Sequence, residues 1–223
     1  FDVSSSTQTL FTAPRYYKIG LFRSISSLAF VGVTDIASIR IRLTDTGGRD
    51  GLVYDQTFNL RDIPASSSWY AWTFEERLNK QSLTVNNLPN YPTALLRIDV
   101  TPIGTAGAIG VCMYGISKTI GTGVHAGAKL GIVDYSRKEK NEYGDTVLVQ
   151  RAYSNRASYT MHIDNSQLDN TMRLLTDLRA TPCIWSIPGS FDAATVFGYY
   201  ASFDISVQYA RYAVCTIDIE GLA

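Results

Sequence analysis

The chain has 223 residues, of which 45% are hydrophobic and 18% charged, and this composition is ordinary for a globular protein of one or two domains. Its 20 Lys and Arg residues balance its 20 Asp and Glu residues, so the formal net charge is zero. Nucleic-acid binding is therefore not expected, because it draws on a basic excess that neutralises phosphates. No apolar run approaches the ~20 residues of a membrane-spanning helix, and no signal peptide opens the sequence. Because the chain begins at Phe1 in mid-pattern, we expect a fragment or a processed product.

Residues 1–125 are predicted to form an antiparallel β-sandwich of the jelly-roll kind. The clearest strand is 36–48, where Ile36, Ile39, Ile41 and Leu43 point inward and polar residues alternate outward over most of the run before a Gly47–Gly48 turn. Further short runs rich in β-formers are bounded by Gly, Pro, Asn or Ser, with no helical pattern between them. They read YYKIGLF, SSLAFV, LVYDQTFNL, SSWYAWTFEE, SLTVNNLP, TALLRIDVTP and AIGVCMYGI.

One of these predicted strands carries a cluster of aromatic residues, Trp69, Tyr70, Trp72 and Phe74. In a strand, Tyr70, Trp72 and Phe74 would share one face, so aromatic mass would project from one side of the sheet. Such rings fill sandwich cores or anchor protein interfaces, and they also stack on the C–H faces of sugars. The sequence leaves both interpretations open, a core or interface cluster and a glycan platform.

A glycine-rich stretch, TIGTGVHAGAKLG at 119–131, separates the predicted sandwich from a second β domain at 126–223. The second domain opens with two strands that flank a charged hairpin, SRKEKNEYGD. This hairpin is either a plain exposed turn or an arm that contacts a neighbouring subunit through complementary charges. The residues of the candidate arm are Arg137, Lys138, Glu139, Lys140, Glu142 and Tyr143.

A single amphipathic helix is predicted at about 166–179. Ser166 and Asp169 resemble a capping box at its start, and Arg179 and Pro182 mark its end. Strand-like runs lie on both sides, so we expect the helix to pack against a sheet. Its predicted packing face consists of leucines and one methionine at helical spacing, namely Leu168, Met172, Leu175 and Leu178.

The chemistry-bearing residues form no catalytic or metal-binding motif. The two histidines, His125 and His162, lack the spacing of metal ligands, and structural or surface roles are predicted for both. The three cysteines, Cys112, Cys183 and Cys215, are far apart in apolar runs and are predicted to be buried free thiols. We therefore expect no catalytic residue, no metal and no cofactor, and the chain is not expected to be an enzyme.

Several stretches in combination resemble one family. They are DYSRKE with its Glu-Tyr-Gly turn, LRATPCIW and a final Cys followed by IEGL in the second domain, and IRIRLTDTGGRDGLVYDQTFNL, WYAWTFEE and LPNYP in the first. Together they resemble the minor tail or tail-tip (baseplate) structural proteins of long-tailed bacteriophages that carry an amino-terminal carbohydrate-binding-like domain.

The resemblance implies a virion protein that is made in the bacterial host cytoplasm. It implies a symmetric homo-oligomer, a trimer or hexamer, in contact with other tail proteins. It further implies that the second domain is similar to the tail-tube fold, a β-sandwich flanked by one helix. The alternative implied function is a glycan-binding module for attachment to the host surface.

Overall fold

The computed structural model describes residues 8–21, 23–47, 51–61, 69–74, 79–104, 106–125, 127–140, 145–187 and 192–222. The chain is mainly β, as predicted, and its sheets are antiparallel. It divides into two compact units, Phe1–Ser117 and Lys118–Ala223. Each unit has its own hydrophobic core, and each is described separately below.

The first unit is a jelly roll of two four-stranded sheets. In chain order its strands are β1 (Thr9–Phe11), β2 (Arg15–Gly20), β3 (Ser27–Thr34), β4 (Ile36–Asp45), β5 (Leu52–Asn59), β6 (Ser82–Asn86), β7 (Ala94–Pro102) and β8 (Gly107–Gly115). The sheets run β1-β8-β3-β6 and β2-β7-β4-β5. Strand β1 pairs with β8, β2 with β7, β3 with β6 and β4 with β5. The unit is therefore a long hairpin rolled into two layers. The predicted sandwich is confirmed.

Alternating side chains of the strands build the core between these two sheets. Ile39, Ile41 and Leu43 of β4 are all 0% exposed, and Ile36 is 1% exposed, so the predicted inward face is confirmed. The neighbouring β7 follows the same period-two pattern from Ala94 onward. Burying a branched aliphatic side chain stabilises a fold by about 1.5–3 kcal/mol, so these two strands contribute substantially to the stability of the unit.

Within the segment SSWYAWTFEE, which was predicted to be a strand, the described residues 69–74 form a short helix instead. Helix α1 spans Trp69–Phe74, and Thr73 donates its hydroxyl to the backbone oxygen of Trp69 at 2.8 Å. Aromatic composition favours strands only where a neighbouring strand pairs with the backbone. In the described residues β5 is the edge strand of its sheet, next to β4. The backbone of the α1 segment therefore forms its hydrogen bonds locally.

The second unit is built on a six-stranded antiparallel sheet. Its elements are β9 (Gly123–Val124), β10 (Lys129–Asp134), β11 (Arg137–Lys140), β12 (Thr146–Val149), β13 (Tyr153–Asp164), a 3-10 turn (Asn165–Gln167), α2 (Leu168–Asp177), β14 (Cys183–Trp185), a 3-10 turn (Asp192–Ala194), β15 (Val196–Ser206) and β16 (Tyr212–Gly221). The sheet order is β10-β13-β16-β15-β14, and β9 also pairs with β13. Residues 118–125, assigned to the first domain from the sequence, thus belong to the second unit.

Helix α2 corresponds to the helix predicted at about 166–179, but it begins and ends at different residues. A 3-10 turn leads into it. Asp164 precedes the 3-10 turn and Gln167 precedes α2, and neither side chain makes a capping hydrogen bond. The predicted capping box of Ser166 and Asp169 is therefore wrong, because Ser166 lies inside the 3-10 turn. The helix ends at Asp177, and Ala180 then adopts a φ of 55°, the left-handed geometry that reverses the chain after a helix.

The buried face of α2 contains Thr171 in place of the predicted Met172. Leu175 is 0% exposed and Thr171 is 7% exposed, whereas Met172 is 41% exposed. Met172 is therefore not a packing residue, while Leu168 and Leu178 are half-buried. The helix is held against the sheet by the Tyr200 hydroxyl, which donates to the Leu175 backbone oxygen at 2.7 Å.

Candidate functional site

The charged hairpin predicted as an arm is a separate two-stranded sheet, β11–β12. All eight of its strand residues are exposed. Arg137 pairs with Glu139, and the Lys138 ammonium lies 3.3 Å from an Asp134 carboxylate oxygen. Much of the arm's charge is thus paired internally. Two predicted arm residues, Glu142 and Tyr143, lie outside the described residues.

Exposed apolar side chains run along the same arm and the strands that lead into it. Leu148 is 69% exposed and Ile132 is 64% exposed, and the others are at least 43% exposed. A two-stranded hairpin is marginally stable by itself in water, and an exposed apolar group of this size marks an interaction surface. We call this set the apolar arm: Leu130, Ile132, Tyr135, Val147, Leu148, Val149 and Tyr153. The charged residues of this hairpin were predicted as a candidate site from the sequence, but its apolar residues were not.

Three aromatic residues of α1, namely Trp69, Tyr70 and Phe74, lie on the surface of the protein. Trp69 is 76% exposed, Tyr70 is 63% exposed and Phe74 is 65% exposed, so the interpretation that they fill the sandwich core is wrong. The Trp69 and Tyr70 rings meet edge to face at 6.2 Å between centroids, and Tyr70 lies 4.8 Å from Phe74. The side chain of Trp72 lies outside the described residues.

No family model, curated protein or solved structure matches this chain. The two units and their surfaces are therefore interpreted from their own geometry. Across the described residues, no helix is both long and apolar enough to cross a membrane. Nor does any group of three or more His, Cys, Asp and Glu side chains in that part of the chain have an arrangement that could hold a metal ion.

The two histidines, distant in sequence, meet on the second unit. The rings of His125 and His162 lie 3.9 Å apart between centroids, and Tyr212 packs edge-on to His162 at 4.6 Å. They meet because the segment of β9 pairs with β13, where the His125 amide donates to the Thr160 oxygen at 2.8 Å. No spacing motif could reveal this, because the pairing spans a long stretch of chain. Two imidazoles supply fewer ligands than a protein zinc site uses.

The cysteines are free thiols in apolar surroundings. Cys215 is buried and the other two are half-buried. Burial raises the pKa of Cys112 to about 12, and it raises the pKa values of Cys183 and Cys215 to about 11. A nucleophilic cysteine reacts as its thiolate, which these environments disfavour.

A crevice of about 200 Å³ with a mixed polar and apolar lining lies beside α2 in the second unit. Its lining residues are Thr119, Gly121, Thr122, Ile163, Asp164, Gln167, Asn170, Thr171 and Leu174. This volume is below the ~300–1,000 Å³ of a typical small-molecule site. The crevice accordingly supports no assignment of an active site.

The outer face of the sheet β2-β7-β4-β5 carries a network of charges. We call it the charged face, and its residues are Tyr16, Lys18, Arg40, Arg42, Asp55, Arg97 and Asp99. Arg42 donates to one Asp99 oxygen from Nε at 3.1 Å and Nη2 at 2.7 Å, and Arg97 Nε donates to the other oxygen at 2.9 Å. Partial burial by itself raises the pKa of Asp99, but the bonds from Arg42 and Arg97 outweigh it and lower the pKa.

A second ion pair on this face joins Arg40 to Asp55. Arg40 donates from Nε at 2.7 Å and from Nη2 at 2.5 Å, one bond to each carboxylate oxygen, and these bonds lower the pKa of Asp55. Bidentate pairs of this kind fix the direction of the guanidinium plane. The charged face is therefore an ordered arrangement of side chains on a rigid sheet.

Proposed function

We propose that the chain is a structural component of a bacteriophage tail tip or baseplate, where it assembles as a symmetric homo-oligomer, a trimer or hexamer, beside other tail proteins. The observation that carries this proposal is the apolar arm. Its side chains extend beyond the core of the second unit, and a hairpin of this kind becomes stable when another surface covers it.

Open sheet edges support copies of the same chain as the covering surface. Within the described residues, β10 ends one side of the six-stranded sheet and β14 ends the other. Unpaired edges carry backbone donors and acceptors that pair readily with a strand of another chain. Two different edges on one sheet permit head-to-tail contacts, and these close into a ring when the rotation between copies allows it.

Assembly is tested by the variant Leu148→Asp, examined as the full chain by native mass spectrometry. A charge at the apolar arm has to be desolvated in any interface that covers it, so we expect the oligomer to dissociate into monomers. The matched control is Ile116→Asp, because Ile116 and Leu148 are both 69% exposed and Ile116 lies outside the arm. A wild-type chain that stays monomeric at tens of micromolar, or a control that dissociates equally, contradicts the proposal.

The location in the virion is tested separately, by electron cryomicroscopy of phage particles that contain this chain. Density for both units at the tail tip, with the apolar arm against a neighbouring copy, is the expected result. Particles whose tails contain no copy of the chain contradict the proposed location, whatever the oligomeric state in solution.

Glycan binding through α1 is a second candidate function, favoured by the exposure of Trp69, Tyr70 and Phe74. Rings that lie on the surface and contact one another offer a platform on which sugar C–H faces stack. We expect Trp69→Ala to lower affinity on a glycan array about tenfold, at the ~1–1.5 kcal/mol that such stacking contributes. Tyr209→Ala, which removes an exposed ring that lies in the other unit and outside the apolar arm, is the control. An array with no bound glycan for the wild-type chain contradicts this function.

A further inference from the structure

Three cations stand in one row across the charged face. In the strand register, Lys18 of β2 is directly opposite Arg97 of β7, and Arg97 is directly opposite Arg42 of β4. Adjacent strands lie about 4.8 Å apart, so the row spans about 10 Å. Like charges in directly opposed positions destabilise a sheet, so this row costs the fold stability.

The carboxylates on the face offset only part of this cost. Asp99 is shared by Arg42 and Arg97, and Asp55 is held by Arg40. Among the described residues of this face, four cations thus face two carboxylates, which is an excess of two positive charges in a chain whose formal net charge is zero. The excess lies toward Lys18 and Arg97, because Asp55 of β5 is directly opposite Arg42 at the other end of the row.

An exposed aromatic ring lies beside this excess charge. Tyr16 is 59% exposed, and the Arg97 guanidinium carbon lies 4.3 Å from its ring centroid. The Lys18 ammonium lies 5.8 Å from the same centroid. An anionic group held by the row would therefore sit next to a ring that stacks on apolar C–H faces.

We propose that the charged face binds an acidic saccharide, a sugar chain that carries carboxylate or sulfate groups. The anionic group lies between Lys18 and Arg97, and one sugar face stacks on Tyr16. Asp99 and Asp55 accept hydrogen bonds from neighbouring hydroxyl groups. Those two carboxylates also repel a continuous phosphate backbone, which disfavours nucleic acid as the ligand. This site is separate from α1 and from the apolar arm.

The test is isothermal titration calorimetry of the full chain at low salt. The probes are oligogalacturonate, which carries carboxylates, sulfated dextran, neutral dextran and an oligothymidylate of matched charge. We expect at least one acidic saccharide to bind and neutral dextran not to bind. Removing one charged hydrogen bond lowers affinity about tenfold, so Arg97→Gln and Lys18→Gln should each weaken binding by about that factor. Tyr16→Ala should lower the affinity for the same saccharide several-fold.

The matched control is Arg173→Gln, which removes an exposed arginine from α2 in the other unit and should leave the affinity unchanged. Thermal unfolding verifies the fold of each variant, and Lys18→Gln decides the question if Arg97→Gln does not fold. Binding of neither acidic saccharide overturns the proposal. So does oligothymidylate binding of equal strength, because the face would then not discriminate an acidic saccharide from a nucleic acid. Leu148→Asp should keep saccharide binding, so failure of this site and failure of assembly are distinguishable.

Discussion

At Gly198, on β15, the sheet of the second unit leaves no room for a side chain. A Cβ atom there would overlap the Glu220 backbone oxygen and would lie 2.7 Å from the Gly221 Cα atom on β16. Gly221 is equally confined, because its own Cβ would lie 2.7 Å from the Asn155 oxygen. A neighbour that consists of backbone atoms cannot move aside without disturbing strand pairing. These glycines are therefore required for the close approach of β13, β16 and β15.

Gly198→Ala should lower the free energy of unfolding of the second unit by about 1–3 kcal/mol, since overpacking displaces the backbone. The measurement is urea denaturation followed by circular dichroism. Gly131→Ala is the matched control, because Gly131 also lies in a strand of this sheet and a Cβ there meets nothing within 4 Å. Its effect should stay within about 0.5 kcal/mol. Equal destabilisation by the two substitutions would show that the contact at Gly198 is unimportant.

Strands and helices were predictable from the sequence where the hydrophobic pattern was long and the element packed against a core. In β4 the residues from 38 to 44 alternate between polar and apolar, and the inward residues Ile39, Ile41 and Leu43 are fully buried. The six residues of α1 are too few for helical periodicity, and their aromatic composition is typical of strands. At α2 the period was correct, but Thr171 belonged to the buried face in place of Met172. A hydrophobicity pattern cannot identify a polar residue that the sheet covers.

The helix α2 provides a direct test of this corrected face. Leu175→Ala should destabilise the second unit by about 2–5 kcal/mol, because the side chain is 0% exposed and its loss leaves a cavity. Met172→Ala, in the same helix, should cost less than about 1 kcal/mol, because Met172 is 41% exposed. Urea denaturation of the two variants, with the second unit followed by circular dichroism, separates these values. A larger loss of stability in Met172→Ala than in Leu175→Ala would instead support the packing face predicted from the sequence.

At the scale of the whole molecule, the sequence indicated two β regions but not the long-range pairing that builds them. In the jelly roll β1 pairs with β8 and β2 with β7, so its partners are separated by most of the unit. The candidate sites depend on the same long-range pairing. The row of Lys18, Arg97 and Arg42 exists only in the register of three strands that are not consecutive in the chain. Local patterns predict strands, whereas the register that aligns charges arises from packing of the complete core.

Because each unit has its own core, the two units should separate in function as well as in folding. The apolar arm and both open edges of the six-stranded sheet belong to residues 118–223. A fragment of residues 118–223 should therefore unfold cooperatively and form an oligomer with the same number of copies as the full chain. A fragment of residues 1–117 should remain monomeric, because the apolar arm and the six-stranded sheet are outside it. Native mass spectrometry of the two fragments measures both expectations. A folded but monomeric 118–223 fragment, beside an oligomeric full chain, would move the subunit interface to the jelly roll.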